Sequence, residues 1–438
     1  MIPVAWAEIE SLALGELRGA PADGVVRRIH DDSRISRPGD LFVALNSGTR
    51  FVHDVLTRGA SALVPRDQHA ALAALARLVR DRSDARVVAV VGSTGKTSTK
   101  DVLAALCAAV TPTVAAVGSR NNEIGLPLTV LGLEPGTRVL VTEMGMRGPG
   151  QIAELCAVAR PALTLVTGIG PEHLELVGTV ADVARANAEA IDALPAGGVA
   201  VVPVDVPELE PHLRRADVDV RRFDPASVRR SAGTPSRWRF AVPGGAGESE
   251  VELELGLPFD QRHLMGNVLA ALTAYRALGL PLGRAAEGAS RIVLSGWRGE
   301  VHELPGGGLV VNDAYNANPT SMRAALLDLA ERAAGRRRVA ILGEMAELGA
   351  ESPRYHAEIA DLIRSLGIEL VVAVGEGARP FAAAAPVEQR WIADAAAFDD
   401  VAGALHPGDA ILVKGSRAVG LEGIPRAIEK VAGAWSAS

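Results

Sequence analysis

Short β-branched runs alternate with stretches of helical periodicity through most of the chain, a pattern that predicts an α/β protein with largely parallel sheets. Val87 to Val91, Val139 to Thr142 and Leu163 to Thr167 are near-continuous apolar runs, as interior parallel strands must be when both faces are covered. Asp101 to Ala109 and Val180 to Leu194 read as helices between and after them. Before these, residues 1 to 83 mix short strands and helices, with a strand at Leu41 to Leu45, a helix at Ala70 to Arg82 and a linker at Asp81 to Ala85. Pro207 to Pro258 predicts a helix, a strand and a two-stranded ribbon, because Trp238, Phe240 and Val242 alternate, as do Val251, Leu253 and Leu255, about a Gly244-Gly245 tip. Gln261 to Leu278 returns to helix. Past Gly296 a second alternating unit begins: a ribbon of Val301 to Leu304 and Leu309 to Asn312, helix Thr320 to Ala334, strand Arg338 to Leu342, helix Tyr355 to Leu366, and strands Leu370 to Val374 and Ala410 to Val413.

At 438 residues and 48% hydrophobic, the chain is too long for one core. We expect a small α/β N-terminal domain over 1–83, a central P-loop ATPase-like parallel-sheet domain over 84–297 and a C-terminal Rossmann-like domain over 298–438. The balance of 45 basic against 52 acidic residues, net −7, argues against nucleic acid as a partner and leaves anionic ligands to local clusters. Cys107 and Cys156 are the only cysteines, which fits a reducing cytoplasm, and Glu8 and Glu10 stand where a secretory signal would be basic and then apolar. The longest uncharged run, Val102 to Ser119, is broken by Thr111-Pro112-Thr113 into helix, turn and strand, so no membrane insertion is expected. A monomer acting on small molecules is expected.

The candidate chemistry begins at Gly92-Ser93-Thr94-Gly95-Lys96-Thr97-Ser98. A glycine turn between a buried strand and a helix lets backbone N–H groups converge on phosphate oxygens. Lys96 would reach the terminal phosphates and the Thr97 hydroxyl could hold Mg²⁺. Val90 stands at the first glycine of the long phosphate-loop pattern, so the generic match is incomplete. Glu143 and His173 end or follow neighbouring strands, where ligands of parallel sheets collect; they are either metal ligands or polar loop residues. His263 and Asn267, spaced i, i+4, either touch a base or are satisfied helix-end groups. The knot His30-Asp31-Asp32-Ser33-Arg34 is either a solvated turn or a small hydrogen-bonding pocket.

Taken together these islands resemble the Mur ligase family of ATP-dependent peptide ligases, over nearly the whole chain and in the family's order. Asp32-Ser33-Arg34 with Pro38-Gly39-Asp40-Leu41-Phe42 resembles its UDP-binding element, and Gly92 to Lys100 its ATP loop, followed by Asn121-Asn122-Glu123-Ile124-Gly125-Leu126-Pro127. Glu143-Met144-Gly145 and His173-Leu174-Glu175 resemble its magnesium positions. Arg298, Asp313-Ala314-Tyr315-Asn316-Ala317-Asn318-Pro319, Gly343-Glu344-Met345 with Glu347-Leu348-Gly349, and Lys414-Gly415-Ser416-Arg417 are most similar to the branch that adds D-alanyl-D-alanine to UDP-N-acetylmuramoyl-tripeptide. The resemblance implies that ATP, with Mg²⁺, phosphorylates the terminal carboxylate and that the dipeptide amine attacks the acyl phosphate. It implies Lys96, His173 and Glu143 as catalytic; Gly92 to Ser98, Asn267, Arg298 and Asp313 at ATP; and Thr97, Glu143 and His173 at the metal. It also implies Asp32, Ser33, Arg34, Asn122, Tyr315, Asn316, Asn318, Lys414, Ser416 and Arg417 at the substrates.

Four positions depart from the family pattern. A lysine whose carbamylation supplies a carboxylate to a second magnesium is usual on the helix after His-Leu-Glu; here the position is Asn187, and no lysine lies between Lys100 and Lys414. The others are Val91 in the ATP loop, Leu264 after His263, and a shortened Gly48-Thr49-Arg50-Phe51 segment. Two further readings therefore stand beside the cell-wall ligase: a related amide ligase acting on another carboxylate, and a nucleotide-binding paralogue with weakened catalysis.

Overall fold

The computed structural model of the chain describes residues 1–232, 236–383 and 388–435. Two six-stranded sheets carry most of the core. In the first, the strands run Asp219–Phe223, Val199–Pro203, Leu163–Val166, Arg86–Val91, Val139–Glu143 and Thr113–Ala115 from edge to edge, every pair parallel. Arg86–Val91 lies between two strands that both follow it in the chain, one on each side. The loop leaving it therefore opens at a reversal of strand order, where parallel sheets leave a crevice. In the second sheet the order is Glu300–Glu303, Leu309–Asp313, Ala410–Lys414, Arg338–Gly343, Leu370–Val374 and Glu388–Ile392, parallel except for the first pair.

Both sheets are covered on each side, and their central strands are buried at almost every position. Local signals set the flanking helices. Thr179 and Asp182 form a capping box that starts Val180–Asp192, while Asn318 and Ser321 do the same for Pro319–Ala333, with Pro319 at the first helical position. Near the N-terminus a four-stranded sheet, Gly15–Arg18, Ser61–Pro65, Asp40–Val43 and Arg28–His30, packs beside helix Gln68–Arg80, which Asp67 caps. Among the described residues no helix is long and apolar enough to cross a membrane. Cys107 and Cys156 are buried in helices, where burial pushes both thiols up to about 12, so neither carries thiolate chemistry.

Some elements differ from the sequence reading. The helix expected from Asp101 begins at Lys96, because Gly95 takes a left-handed φ of 78° and ends the turn there. Its polar opening, Lys-Thr-Ser-Thr-Lys, hides it from a hydrophobic pattern. The helix expected from Gln261 begins at Met265, after a 3-10 turn over Arg262–Leu264, so His263 and Asn267 share no single α-helical face. Pro207–His212 is a 3-10 turn rather than a helix, with Pro207 and Pro211 denying it backbone donors. The ribbon gains a third strand, Arg229–Arg230, and its second strand buries Leu255 while Val251 stays exposed.

The carboxyl ends of the two large sheets face each other. Asn318 Nδ2 donates to Ser93 O at 3.5 Å, and Glu175 N donates to Glu347 O at 3.1 Å. Arg332 pairs with Asp328 on its own helix at 2.7 Å and reaches Asp260 on the opposite unit at 2.6 Å.

Candidate active site

Between the two sheets lies a cleft of about 600 Å³, lined by Ser93 to Ser98, Asn122, Glu143, His173, His263, Asn267, Arg298, Asp313, Tyr315, Asn316, Asn318, Lys414 and Arg417 among others. Most of the residues singled out from the sequence are thus brought to one wall or the other. Three groups are not. Gly92 is buried behind the loop, and Ser416 is buried, its hydroxyl accepting from Ala346 N at 2.7 Å and donating to Ala317 O. Asp32, Ser33 and Arg34 stand outside the cleft, in the turn that follows strand Arg28–His30 of the N-terminal sheet. There Asp32 caps its own 3-10 turn and pairs with Arg34 at 2.8 Å, so its carboxyl is held well below the usual range, while the Arg34 side chain is 86% exposed.

The phosphate loop is held from several sides. Ser93 Oγ accepts from Gly170 N at 2.9 Å, and Thr167 Oγ1 donates to Thr94 O at 2.5 Å. A Cβ at Gly95 would lie 2.4 Å from Asn267 Oδ1, so the close approach of that helix to the loop admits only glycine. Lys96 opens the helix. Its ammonium donates to Gly92 O and lies 3.5 Å from Glu172 Oε2. Burial raises the Glu172 carboxyl above its ordinary value, and the Lys96 charge is the largest influence opposing that rise.

Glu143 is 1% exposed. Its Oε1 accepts from Ser119 Oγ and Asn121 Nδ2, each at 2.8 Å, whereas Oε2 is buried without a hydrogen-bond partner among the described residues. An orphaned carboxylate oxygen beside a phosphate loop, with the Thr97 hydroxyl on the same cleft, is a donor set that fits a hard divalent cation. Among the described residues no cluster of three or more His, Cys, Asp or Glu stands ready to hold a metal, so any such site depends on hydroxyl, phosphate and water oxygens as well. His173, at a left-handed φ of 51°, turns Nδ1 onto Glu347 of the opposite unit, itself at φ 61°. Across the cleft Lys414 is almost fully buried, pairing with Asp313 at 2.6 Å and donating to Asn316 O at 2.9 Å. The Arg298 guanidinium lies 3.8 Å over the Tyr315 ring.

Sequence reasoning gave Glu172 and Glu347 no role in the site. Both stand in or next to stretches it quoted, yet what recruits them is the approach of Lys96 and His173 in space, which no spacing encodes.

His263 gives this junction a pH dependence. Its Nδ1 has no hydrogen-bond partner among the described residues and lies 4.0 Å from Asp328 Oδ1. Burial pulls its pKa below the ordinary 6.5, against the opposing pull of Asp328 and Asp313. The folded protein then keeps His263 neutral where the unfolded chain has bound a proton, so stability is present above that value and is lost as pH falls through the folded pKa. Melting temperature should fall between pH 7 and 5, and less steeply for His263→Asn; parallel profiles would show that His263 contributes nothing.

The sequence matches the family models described as Mur ligase middle domain, over residues 90–275, and Mur ligase, glutamate ligase domain, over residues 297–417. The UDP-N-acetylmuramoyl-tripeptide–D-alanyl-D-alanine ligase of Escherichia coli K12 is 32% identical over 98% of this chain and 99% of its own length. Two solved structures share the fold. MurF from Acinetobacter baumannii superposes with a TM-score of 0.83 at 24% identity, covering 98% of this chain and 99% of that one. The MurF ligase of Thermotoga maritima in complex with ADP superposes with a TM-score of 0.78 at 26% identity, covering 94% and 99%.

Proposed function

The chain belongs to the Mur ligase family of ATP-dependent peptide ligases, and on that premise we propose that it joins D-alanyl-D-alanine to the terminal carboxylate of UDP-N-acetylmuramoyl-tripeptide through an acyl phosphate. One observation carries the reading: the phosphate loop of one parallel sheet and Asp313, Tyr315 and Lys414 of another line a single cleft. A triphosphate gripped there would have its reactive end beside Lys96 and its remaining contacts on Asn267, Arg298 and Asp313.

The chemistry asks for charge neutralisation and positioning rather than covalent catalysis by the protein. In this reading the loop amides and the Lys96 ammonium hold the phosphates, and Thr97 and Glu143 would hold Mg²⁺. The ion when bound supplies further neutralisation of the transferred phosphoryl. His173, paired with Glu347, would complete the wall of the same cleft, and Asn122, Asn316, Asn318 and Arg417, which line it, would meet the acyl substrate and the incoming dipeptide. Asp32, Ser33 and Arg34 would take the UDP end, away from the cleft, so the substrate spans the two sites. We take the four-stranded sheet and the two six-stranded sheets as the cores of three domains, 1–83, 84–297 and 298–438, working as a monomer in the cytoplasm.

Phosphate release in the presence of ATP, UDP-N-acetylmuramoyl-tripeptide and D-alanyl-D-alanine is the direct test. Release requiring all three is expected. Release with other carboxylic acids but not this pair would move the substrate assignment, and nucleotide binding without turnover would remove it.

A further inference from the structure

Asn187 sits on helix Val180–Asp192 and is 2% exposed, an unusual place for a carboxamide unless both its ends are bonded. They are. Oδ1 accepts from the backbone N–H of Gly92 at 2.7 Å, and Nδ2 donates to Val183 O at 2.9 Å. One partner can only donate and the other only accept, so the orientation of the amide follows from its surroundings. Gly92 is buried at the start of the phosphate loop with φ 125°, and a Cβ there would lie 2.4 Å from Thr167 Oγ1. Its carbonyl in turn receives the Lys96 ammonium. One residue, Gly92, is thus fixed through its N–H by Asn187 and reports through its C=O, in the next peptide unit, to Lys96.

The carboxylates of the same helix stand away from the cleft lining: Asp182 closes the capping box with Thr179, and Asp192 is the last, exposed residue of the helix. Glu189, two residues past Asn187, accepts from Gly150 N at 2.6 Å through Oε1 and from Ala153 N at 3.0 Å through Oε2, and so caps helix Gln151–Ala159. The residues present therefore do not fit a second magnesium held by a carboxylate from this helix.

We propose that Asn187 is a positioning residue for the phosphate loop, which it holds in the shape that places Lys96, and that this ligase works without a carboxylate at position 187. The proposal rests on the reading of the cleft as an ATP site. Losing the amide leaves a buried Gly92 N–H unpaired, and the loop can satisfy it only by moving.

The test is calorimetry of a non-hydrolysable ATP analogue with Mg²⁺, alongside steady-state kinetics with and without added bicarbonate, on wild type, Asn187→Ala, Asn187→Leu and Asn187→Lys. Leucine fills the amide's volume and keeps the helix packed, so it serves if alanine fails to fold. Roughly tenfold or greater weakening of the analogue is expected in the alanine and leucine variants. KM for ATP should rise while KM for the acyl substrate stays put, which a merely structural role would not produce. Bicarbonate should stimulate neither wild type nor Asn187→Lys. A folded leucine variant that binds the analogue as wild type does would overturn the proposal, as would bicarbonate-dependent turnover in either protein. Wild type that binds no analogue would overturn the ATP reading itself.

Discussion

Replacing Lys96 with alanine is expected to abolish turnover, lowering kcat by on the order of 10³-fold and weakening ATP, because this ammonium is the one positive charge on the loop that cradles the phosphates. The structure places it at the first residue of the helix, donating to Gly92 O and 3.5 Å from Glu172. An ammonium has three protons to share, so it can keep the loop carbonyl and still reach a phosphate oxygen. Arginine should not rescue it, since a planar fork cannot occupy the tight space between Gly92 and Glu172. A second signature is independent of activity. Burial already raises the Glu172 carboxyl, and Lys96 is the largest opposing influence, so removing that charge raises it further. A carboxyl raised on folding stabilises below its ordinary value and loses that contribution as pH rises through the folded one. The alanine variant should therefore lose melting temperature relative to wild type as pH is raised from 5 towards 8. Phosphate release and a melting series check both claims, and an unaffected rate would remove the loop's assignment.

The strands were legible because burial on both faces demands near-continuous β-branched runs, as at Val87 to Val91 and Leu370 to Val374. The cleft was largely legible too, since glycine turns, a lysine and carboxylates at strand ends have few structural uses together. What escaped has physical reasons. The start of the phosphate-loop helix is polar in sequence yet buried in the fold, with Thr97, Ser98, Thr99 and Lys100 all enclosed; Lys100 Nζ donates to Ala116 O at 2.8 Å and Gly118 O at 3.0 Å, which no periodicity foretells. Asn187 could be recognised from sequence as a departure, but only its distance to Gly92 shows what the amide does. Glu347 meets His173 from 174 residues away, because the carboxyl ends of the two large sheets face each other.

Glu143→Gln should show the opposite coupling of activity and stability. The substitution keeps Oε1, and with it the bonds from Ser119 and Asn121, while it replaces the charged, unpartnered Oε2 with an amide nitrogen. A buried carboxylate oxygen with no partner is costly to the apo protein, by about 1–3 kcal/mol for a lost partner of this kind, so in magnesium-free buffer the glutamine variant should melt higher than wild type. That cost is the kind a functional site retains because a cation entering the cleft removes it. Adding Mg²⁺ with the ATP analogue should accordingly raise the melting temperature of wild type much more than that of the variant, and reverse their order. Turnover in the variant should fall by roughly 10²–10³-fold, since a neutral amide neither holds the ion nor shares in neutralising the phosphoryl charge. If the two proteins gain the same stabilisation across a magnesium titration, Glu143 is not where the ion is held, and its buried charge would have to answer to the acyl substrate instead.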